Sequence, residues 1–229
     1  MFEKNQKKAI IIDKKKGEQF MARIHETFQA KYSLMQKEDL QNPVIFVVDM
    51  INGFIKEGAL HDEQILTCAK PIEELLQNIE CSSIFVADAH PPKTREFISY
   101  PSHCVIGTAE SEVVDELQPY IEKLYHKNST NTFTCPAFQE FLEEAIYYYD
   151  DIIITGCCTD ICILQFVLCL NAWLNEHNET SKRIIIPLDS VDTYHIEGIH
   201  DAIMTNEFAI SNMEANGITI VSHIESREV

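Results

Sequence analysis

The stretch DIIITGCCTDICILQFVLCLNAW, Asp151 to Trp173, constrains the fold more than any other part of this sequence. It opens on a β-branched apolar run, Ile152 to Thr155, and meets Gly156 at once. It then passes through small residues to Asp160 and continues as an apolar segment from Ile161 to Trp173. That order reads as a buried strand, a sharp turn and the start of a helix. Either Thr159 or Asp160 can cap the helix, because a short side-chain oxygen accepts from the free amides of a first turn. Cys162 then lies in that turn, where the helix's partial positive charge favours thiolate and lowers the cysteine pKa. A thiolate at the carboxyl end of a strand in an open α/β sheet stands where a nucleophile belongs. Most cysteines are buried small hydrophobes, however, and on this stretch alone Cys162 reads as one of them.

The rest of the chain supplies context. A length of 229 residues suits one sizeable core. Apolar residues at 45% and charged residues at 24% fit a soluble globular protein. The formal net charge of -18 repels nucleic acid and anionic membrane, which excludes both as partners. No apolar run approaches the ~20 residues of a membrane span. The only apolar stretch near the N-terminus, Ala9 to Ile12, is too short for a secretory signal, so a cytoplasmic location is expected. The eight cysteines follow no disulfide-scaffold or paired CxxC spacing and read as reduced thiols.

Residues 1–41 read as an N-terminal extension. Ala9 to Ile12 predicts a short strand. Glu18 to Met35 predicts an amphipathic helix with a stripe of Phe20, Met21, Ile24, Phe28 and Tyr32. Such a stripe must pack on the main domain or on a second subunit, and a homo-oligomer is expected. Residues 42–229 read as one domain. Val44 to Val48 is a continuous apolar run, suited to a strand buried on both faces, and it ends at Asp49. Ile65 to Ile79 is helical with a kink or break at Pro71. Ser83 to Ala87 is a strand ending at Asp88, Val113 to Ile121 a helix, and Lys123 to His126 a strand followed by Lys127. Then come a helix from Pro136 to Tyr148, a strand from Arg183 to Pro187, a helix from Ile199 to Met213 and a strand from Ile218 to Val221. The alternation predicts a three-layer α/β/α fold around a central parallel sheet. Neither GxGxxG nor GxxxxGK[ST] is present.

Parallel strands place all their carboxyl ends on one edge. Asp49, Asp88, Lys127 and the Gly156 to Cys162 turn should therefore converge. The segment D-A-H-P-P-K-T-R-E-F-I-S-Y-P-S-H-C adds His90, Glu96 and His103 to Asp88. Imidazole with carboxylate suits zinc, iron or manganese. From spacing alone, a solvated polar loop with incidental histidines reads equally well.

With these residues in place, the sequence resembles the isochorismatase-like cysteine hydrolases, and within them the nicotinamidases, from Pro43 to about Ser222. The carriers are D-M-I-N-G-F at Asp49 to Phe54, a lysine six residues before a phenylalanine at Lys127 and Phe133, and G-x-x-T-D-x-C at Gly156 to Cys162. The resemblance implies a Rossmann-like fold and a catalytic triad of Asp49, Lys127 and Cys162. It implies a cis peptide between Cys157 and Cys158, and an oxyanion hole from the amides of Cys158 and Cys162. It also implies one divalent metal on Asp88, His90, Glu96 and His103, zinc ahead of iron or manganese. Phe54, Tyr100 and Cys157 would touch a small carboxamide, nicotinamide first. The chain departs from the family pattern at Ile51, where glutamine is usual, at Tyr100, where tryptophan is usual, and at Glu96, where histidine is frequent. Another small amide, an enol ether such as isochorismate, and a catalytically silent binding member are the competing readings.

Overall fold

A computed structural model describes residues 10–12, 19–21 and 23–227. The N-terminal part gives two short strands, β1 (Ile10–Ile12) and β2 (Gln19–Met21), paired antiparallel. A short helix, α1 (Glu26–Gln29), and a strand, β3 (Met35–Gln36), follow. The long helix expected over Glu18 to Met35 does not form. Pairing with β1 takes up backbone groups of β2 that a helix would satisfy internally. Of the expected stripe, Ile24 and Phe28 still reach the core. Ala9, expected to open the first strand, lies outside the described residues.

The main sheet is built from the apolar runs. The elements in order are β4 (Val44–Val48), α2 (Asn52–Ile55), α3 (Ala69–Asn78), β5 (Ser82–Asp88) and β6 (Lys123–Lys127). Next come α4 (Pro136–Glu144), β7 (Asp151–Cys157), α5 (Leu164–Glu176), β8 (Arg183–Pro187) and β9 (Val191–Asp192). The chain closes with α6 (Ala202–Ala215), β10 (Thr219–Val221) and β11 (Ile224–Glu225), the last paired with β3. The sheet order is β10-β8-β7-β4-β5-β6, with β9 also against β7, and every pairing is parallel. This is the expected three-layer α/β architecture.

Strand periodicity assigns the two cores. Val44, Phe46 and Val48 face the layer of α4, α5 and α6, where Phe46 meets Phe138, Phe141 and Phe166 edge-on at 5.4–5.6 Å. Ile45 and Val47 face the opposite layer, with Ile72 and Leu75 of α3. β4 is fully buried on both faces, as its unbroken apolar run requires.

Four helix expectations change. The break expected at Pro71 falls earlier: a 3₁₀ stretch, Glu63–Cys68, leads into α3, and Pro71 occupies the first turn, where a missing N–H costs little. Val113 to Ile121 does not form a continuous helix, because Val113 bridges Ile51 and the Val114 amide donates to the Met50 carbonyl. Residues 115–117 make a turn closed onto the Val114 carbonyl, and Gln118–Tyr120 adds one 3₁₀ turn. α4 stops at Glu144 and tightens into a 3₁₀ turn over Ile146–Tyr148. α6 begins at Ala202 rather than Ile199, since Asp201 caps it by accepting from the Ile203 and Met204 amides. Among the described residues, no helix is long and apolar enough to cross a membrane.

Candidate active site

Register brings the site together. Asp88 at the end of β5 pairs with Lys127 at the end of β6, and Val48 at the end of β4 pairs with Gly156 in β7. Asp49 follows β4 with φ 54, a left-handed backbone uncommon for a residue with a side chain. Gly156 has φ +107, and a Cβ there would lie 1.9 Å from the Val48 carbonyl oxygen, so only glycine fits. After β7 the Cys157–Cys158 peptide is cis. The chain then makes a wide π-type turn over Thr159–Ile163 before α5. Neither expected cap operates. Cys158 occupies the capping position without a side-chain bond, and the Asp160 carboxylate instead meets His200 Nε2 at 2.8 Å.

Lys127 Nζ is the hub. It lies 2.8 Å from Asp49 Oδ2, 2.6 Å from Asp88 Oδ1 and 3.9 Å from Cys162 Sγ. Asp49, Asp88 and Lys127 are all at most 1% exposed. Asp49 Oδ1 also accepts from the Asp88 amide at 2.9 Å. Burial pushes the Asp49 carboxyl up to about 7, against the pull of Lys127. Burial alone would lower Lys127, but the Asp49 and Asp88 carboxylates hold it well above its ordinary value. Asp88 stays below the usual carboxylate range: burial opposes ionisation, and Lys127 and His90 outweigh it.

Cys162 departs from expectation. Burial pushes its thiol well above the ordinary value, and the Asp49 and Asp88 carboxylates add to that, with Lys127 opposing. The helix-terminus argument undercounts the cost of a buried anion beside two carboxylates. That direction favours a thiol at Cys162, whose sulfur lies within 4.8 Å of a carboxylate oxygen of Asp49 and of Asp88.

The second cluster abuts the first. Asp88, His90, Glu96 and His103 each bring one ligand atom within 4.8 Å of the others. His90 Nε2 is buried without a hydrogen-bond partner, at 3.6 Å from Asp88 Oδ2 and 3.9 Å from Glu96 Oε1. Those separations are too long for hydrogen bonds and suit a cation between the groups. His90 Nδ1 meets Asn128 Oδ1 at 2.9 Å, and His103 Nδ1 meets the Pro101 carbonyl at 2.8 Å. Outer partners on Nδ1 leave Nε2 of each ring free to ligate. The donor set fits a divalent metal.

A pocket opens over both clusters, lined in part by Phe54, Leu60, Tyr100, His103, Cys158 and Cys162. Phe54 and Tyr100 thus stand at the cavity, with ring centroids 5.6 and 6.2 Å from that of His103. Cys157, expected to touch substrate, does not line it. That residue is fully buried, and its thiol donates to the Asp49 carbonyl at 3.0 Å. Sequence reasoning missed Asn128, Leu60 and Tyr194, because none stands in a chemical motif. It also missed that Asp88 serves both clusters. The adjacency of Asp88 and Lys127 on neighbouring strands was the available signal.

Comparisons with known proteins agree with this geometry. The model of the isochorismatase domain matches residues 43–223. Nicotinamidase 1 of Arabidopsis thaliana is 28% identical over 173 residues, which cover 62% of this chain and 69% of that protein. Among solved structures, PnC1 from L. infantum in complex with nicotinate superposes with a TM-score of 0.65 at 14% identity, covering 86% of this chain and 100% of the other. The pyrazinamidase of Pyrococcus horikoshii in complex with zinc gives 0.60 at 19% identity, covering 79% and 99%. At such identities the structural likeness speaks for the fold alone.

Proposed function

The chain belongs to the isochorismatase family, and from that premise we propose that it is a cysteine amidohydrolase converting nicotinamide to nicotinate and ammonia. One observation carries the reading. Lys127 joins Asp49 and Cys162 beneath the same pocket that Asp88, Glu96 and His103 line, with His90 completing their cluster behind it. A nucleophile lies on one side and a fitting metal site on the other. A flat ring carrying both a carboxamide and a ring nitrogen can engage the two at once. A bound divalent metal, zinc foremost, would supply a Lewis-acidic partner for the ring nitrogen and orient the ring.

The protein's own residues supply the chemistry. Asp49 accepts the Cys162 proton as Sγ attacks the carboxamide carbon. A carboxyl near 7 is matched to both directions of that transfer. Lys127 stays protonated and stabilises the forming thiolate and then the developing negative charge. The amides of Cys158 and Cys162 are assigned to the oxyanion, each donor typically worth about 3 kcal/mol. Asp49 returns its proton to the departing ammonia, leaving a thioester on Cys162. Asp49 then deprotonates the water that releases nicotinate. Phe54 and Tyr100 flank the ring, which favours a planar aromatic amide over an aliphatic one. Eight unpaired cysteines support a reducing, cytoplasmic setting.

Ammonia release from nicotinamide and from benzamide, with elemental analysis of the purified protein, tests the proposal. Benzamide keeps the carboxamide and lacks the ring nitrogen. The expected result is about one divalent metal per chain and strong preference for nicotinamide. Equal turnover of both amides, or a metal-free active enzyme, contradicts the nicotinamidase reading and leaves a hydrolase of another small amide.

A further inference from the structure

Tyr194 lines the pocket together with Cys158 and Cys162, and it lies on the segment after β9, outside every motif of the reaction. Its surroundings fix it from two directions. On one side stands Arg23, from the N-terminal part of the chain, with its side chain only 11% exposed. The guanidinium donates to the Thr193 carbonyl and, at 2.6 Å, to Asp62 Oδ2. That same Asp62 oxygen accepts from the His195 amide at 2.9 Å. The backbone before and after Tyr194 is thus tied through one guanidinium and one carboxylate. The planar fork of arginine suits this shared grip on a carbonyl and a carboxylate, and a lysine ammonium does not reproduce it.

On the other side stands His200. Its ring stacks on the Tyr194 ring, with centroids 4.1 Å apart and planes 21° from parallel. Its Nδ1 meets the Tyr194 carbonyl at 2.8 Å, and its Nε2 meets Asp160 Oδ2 at 2.8 Å. Asp160 belongs to the turn that carries Cys162. The imidazole therefore spaces the Tyr194 wall from the nucleophile turn. Asp62 also caps the stretch that follows Leu60, a second wall residue of the same pocket, by accepting from the Gln64 amide.

We propose that Tyr194 is a specificity-determining residue that sets the width of the pocket over Cys162, and that Arg23 and His200 are its positioning residues. The wall admits a flat, unsubstituted ring carboxamide and turns away bulkier ones. Arg23 makes the N-terminal part of the chain a contributor to substrate choice although it touches no reacting atom. The inference rests on the reading of this pocket as the reaction site.

The test separates the two readings. Cys162 is alkylated with iodoacetamide and with the bulkier N-phenyliodoacetamide, and the site and rate are read by mass spectrometry. In parallel, KM and kcat are measured on nicotinamide. In Tyr194→Ala the ratio of bulky to small reagent rates should rise about tenfold or more, the scale by which a pocket discriminates size. Arg23→Ala and His200→Ala should shift the ratio in the same direction and raise KM more than kcat changes. Arg23→Ala combined with Tyr194→Ala should add little to Tyr194→Ala alone, because Arg23 acts through the ring. If Arg23→Ala does not fold, Arg23→Lys serves, with a smaller shift in the same direction. An unchanged ratio in Tyr194→Ala overturns the wall. Additive effects of the double substitution, or an unchanged ratio in Arg23→Lys, overturn the role of Arg23. Absence of nicotinamide turnover in the unaltered protein would refute the proposed substrate, and the alkylation ratios would still decide the wall.

Discussion

Lys127 Nζ lies 2.6 Å from Asp88 Oδ1, closer than the 2.8 Å that separates it from Asp49 Oδ2. The ammonium beside Cys162 is therefore held by a member of the candidate metal cluster as firmly as by the candidate base. Asp88 reaches Lys127 through one oxygen and faces His90 with the other, at 3.6 Å. The two clusters share a residue, and disturbing it should disturb both.

Asp88→Asn and His90→Ala should consequently differ. Both should lose the metal and raise KM for nicotinamide. Only Asp88→Asn should also lower kcat, because it removes a charged partner of Lys127. Hydrogen bonds to charged groups are worth about 1.5–3 kcal/mol, roughly a tenfold to hundredfold rate effect. Steady-state kinetics alongside metal content decides it, and equal kcat values in the two variants would show that Asp88 does not support Lys127.

Lys127→Ala should act on reactivity and on stability. Lys127 opposes the upward shift of the Cys162 thiol, so its loss should move the pH profile of Cys162 alkylation to higher pH. It also leaves Asp49 and Asp88 buried without their cation, which should cost about 3–5 kcal/mol of folding free energy. Iodoacetamide kinetics across pH and urea unfolding measure the two effects. An unmoved alkylation profile would remove Lys127 from the activation of the nucleophile.

The sheet, and the strand ends that gather Asp49, Lys127 and Cys162, were legible because their signals are local. Val44 to Val48 is read with the bounds it has, since a strand buried on both faces is apolar at every position, and Arg183 to Pro187 likewise, since Ile184 to Ile186 form its buried run. Gly156 marked the turn because a Cβ would strike the Val48 carbonyl. Val113, Val114 and Leu117 misled for the opposite reason. Their spacing suits a helix, yet Val113 bridges Ile51, Val114 bonds to Met50, and Leu117 sits in a turn closed onto the Val114 carbonyl. No local pattern reports such a partner. The tie of Arg23 to the segment that carries Tyr194 is likewise invisible, because its partner Thr193 lies 170 positions away. The raised thiol of Cys162 was hidden too, since it depends on burial and on two carboxylates delivered by other strands.

Asp192 gives the chain a pH-dependent stability that is separate from catalysis. Burial pushes its carboxyl from the ordinary 3.8 up to about 6, with Arg23 and Asn206 opposing. The folded state therefore holds this proton more tightly than the unfolded state does. Its contribution is most favourable below pH 4, is lost as pH rises from about 4 to about 6, and is constant above. Asp192→Asn can keep the bonds from the Thr193 amide and from Asn206 Nδ2. Its stability relative to the unaltered protein should improve by about 2 kcal/mol between pH 4 and pH 7, at 1.36 kcal/mol per unit, because an unfolded carboxyl is already half ionised at pH 4. Urea unfolding at the two pH values measures this, and a stability difference independent of pH would contradict it.

In the proposed reaction Cys162 carries the acyl group of the amide while ammonia leaves. Rapid acid quenching during nicotinamide turnover, followed by peptide mass spectrometry, tests it most directly. A nicotinoyl group is expected on Cys162 in the unaltered protein, and none in Cys162→Ala or in Asp49→Asn. Ammonia release with no acyl group on Cys162 at any quench time, or an acyl group on Cys157 or Cys158 instead, would contradict it.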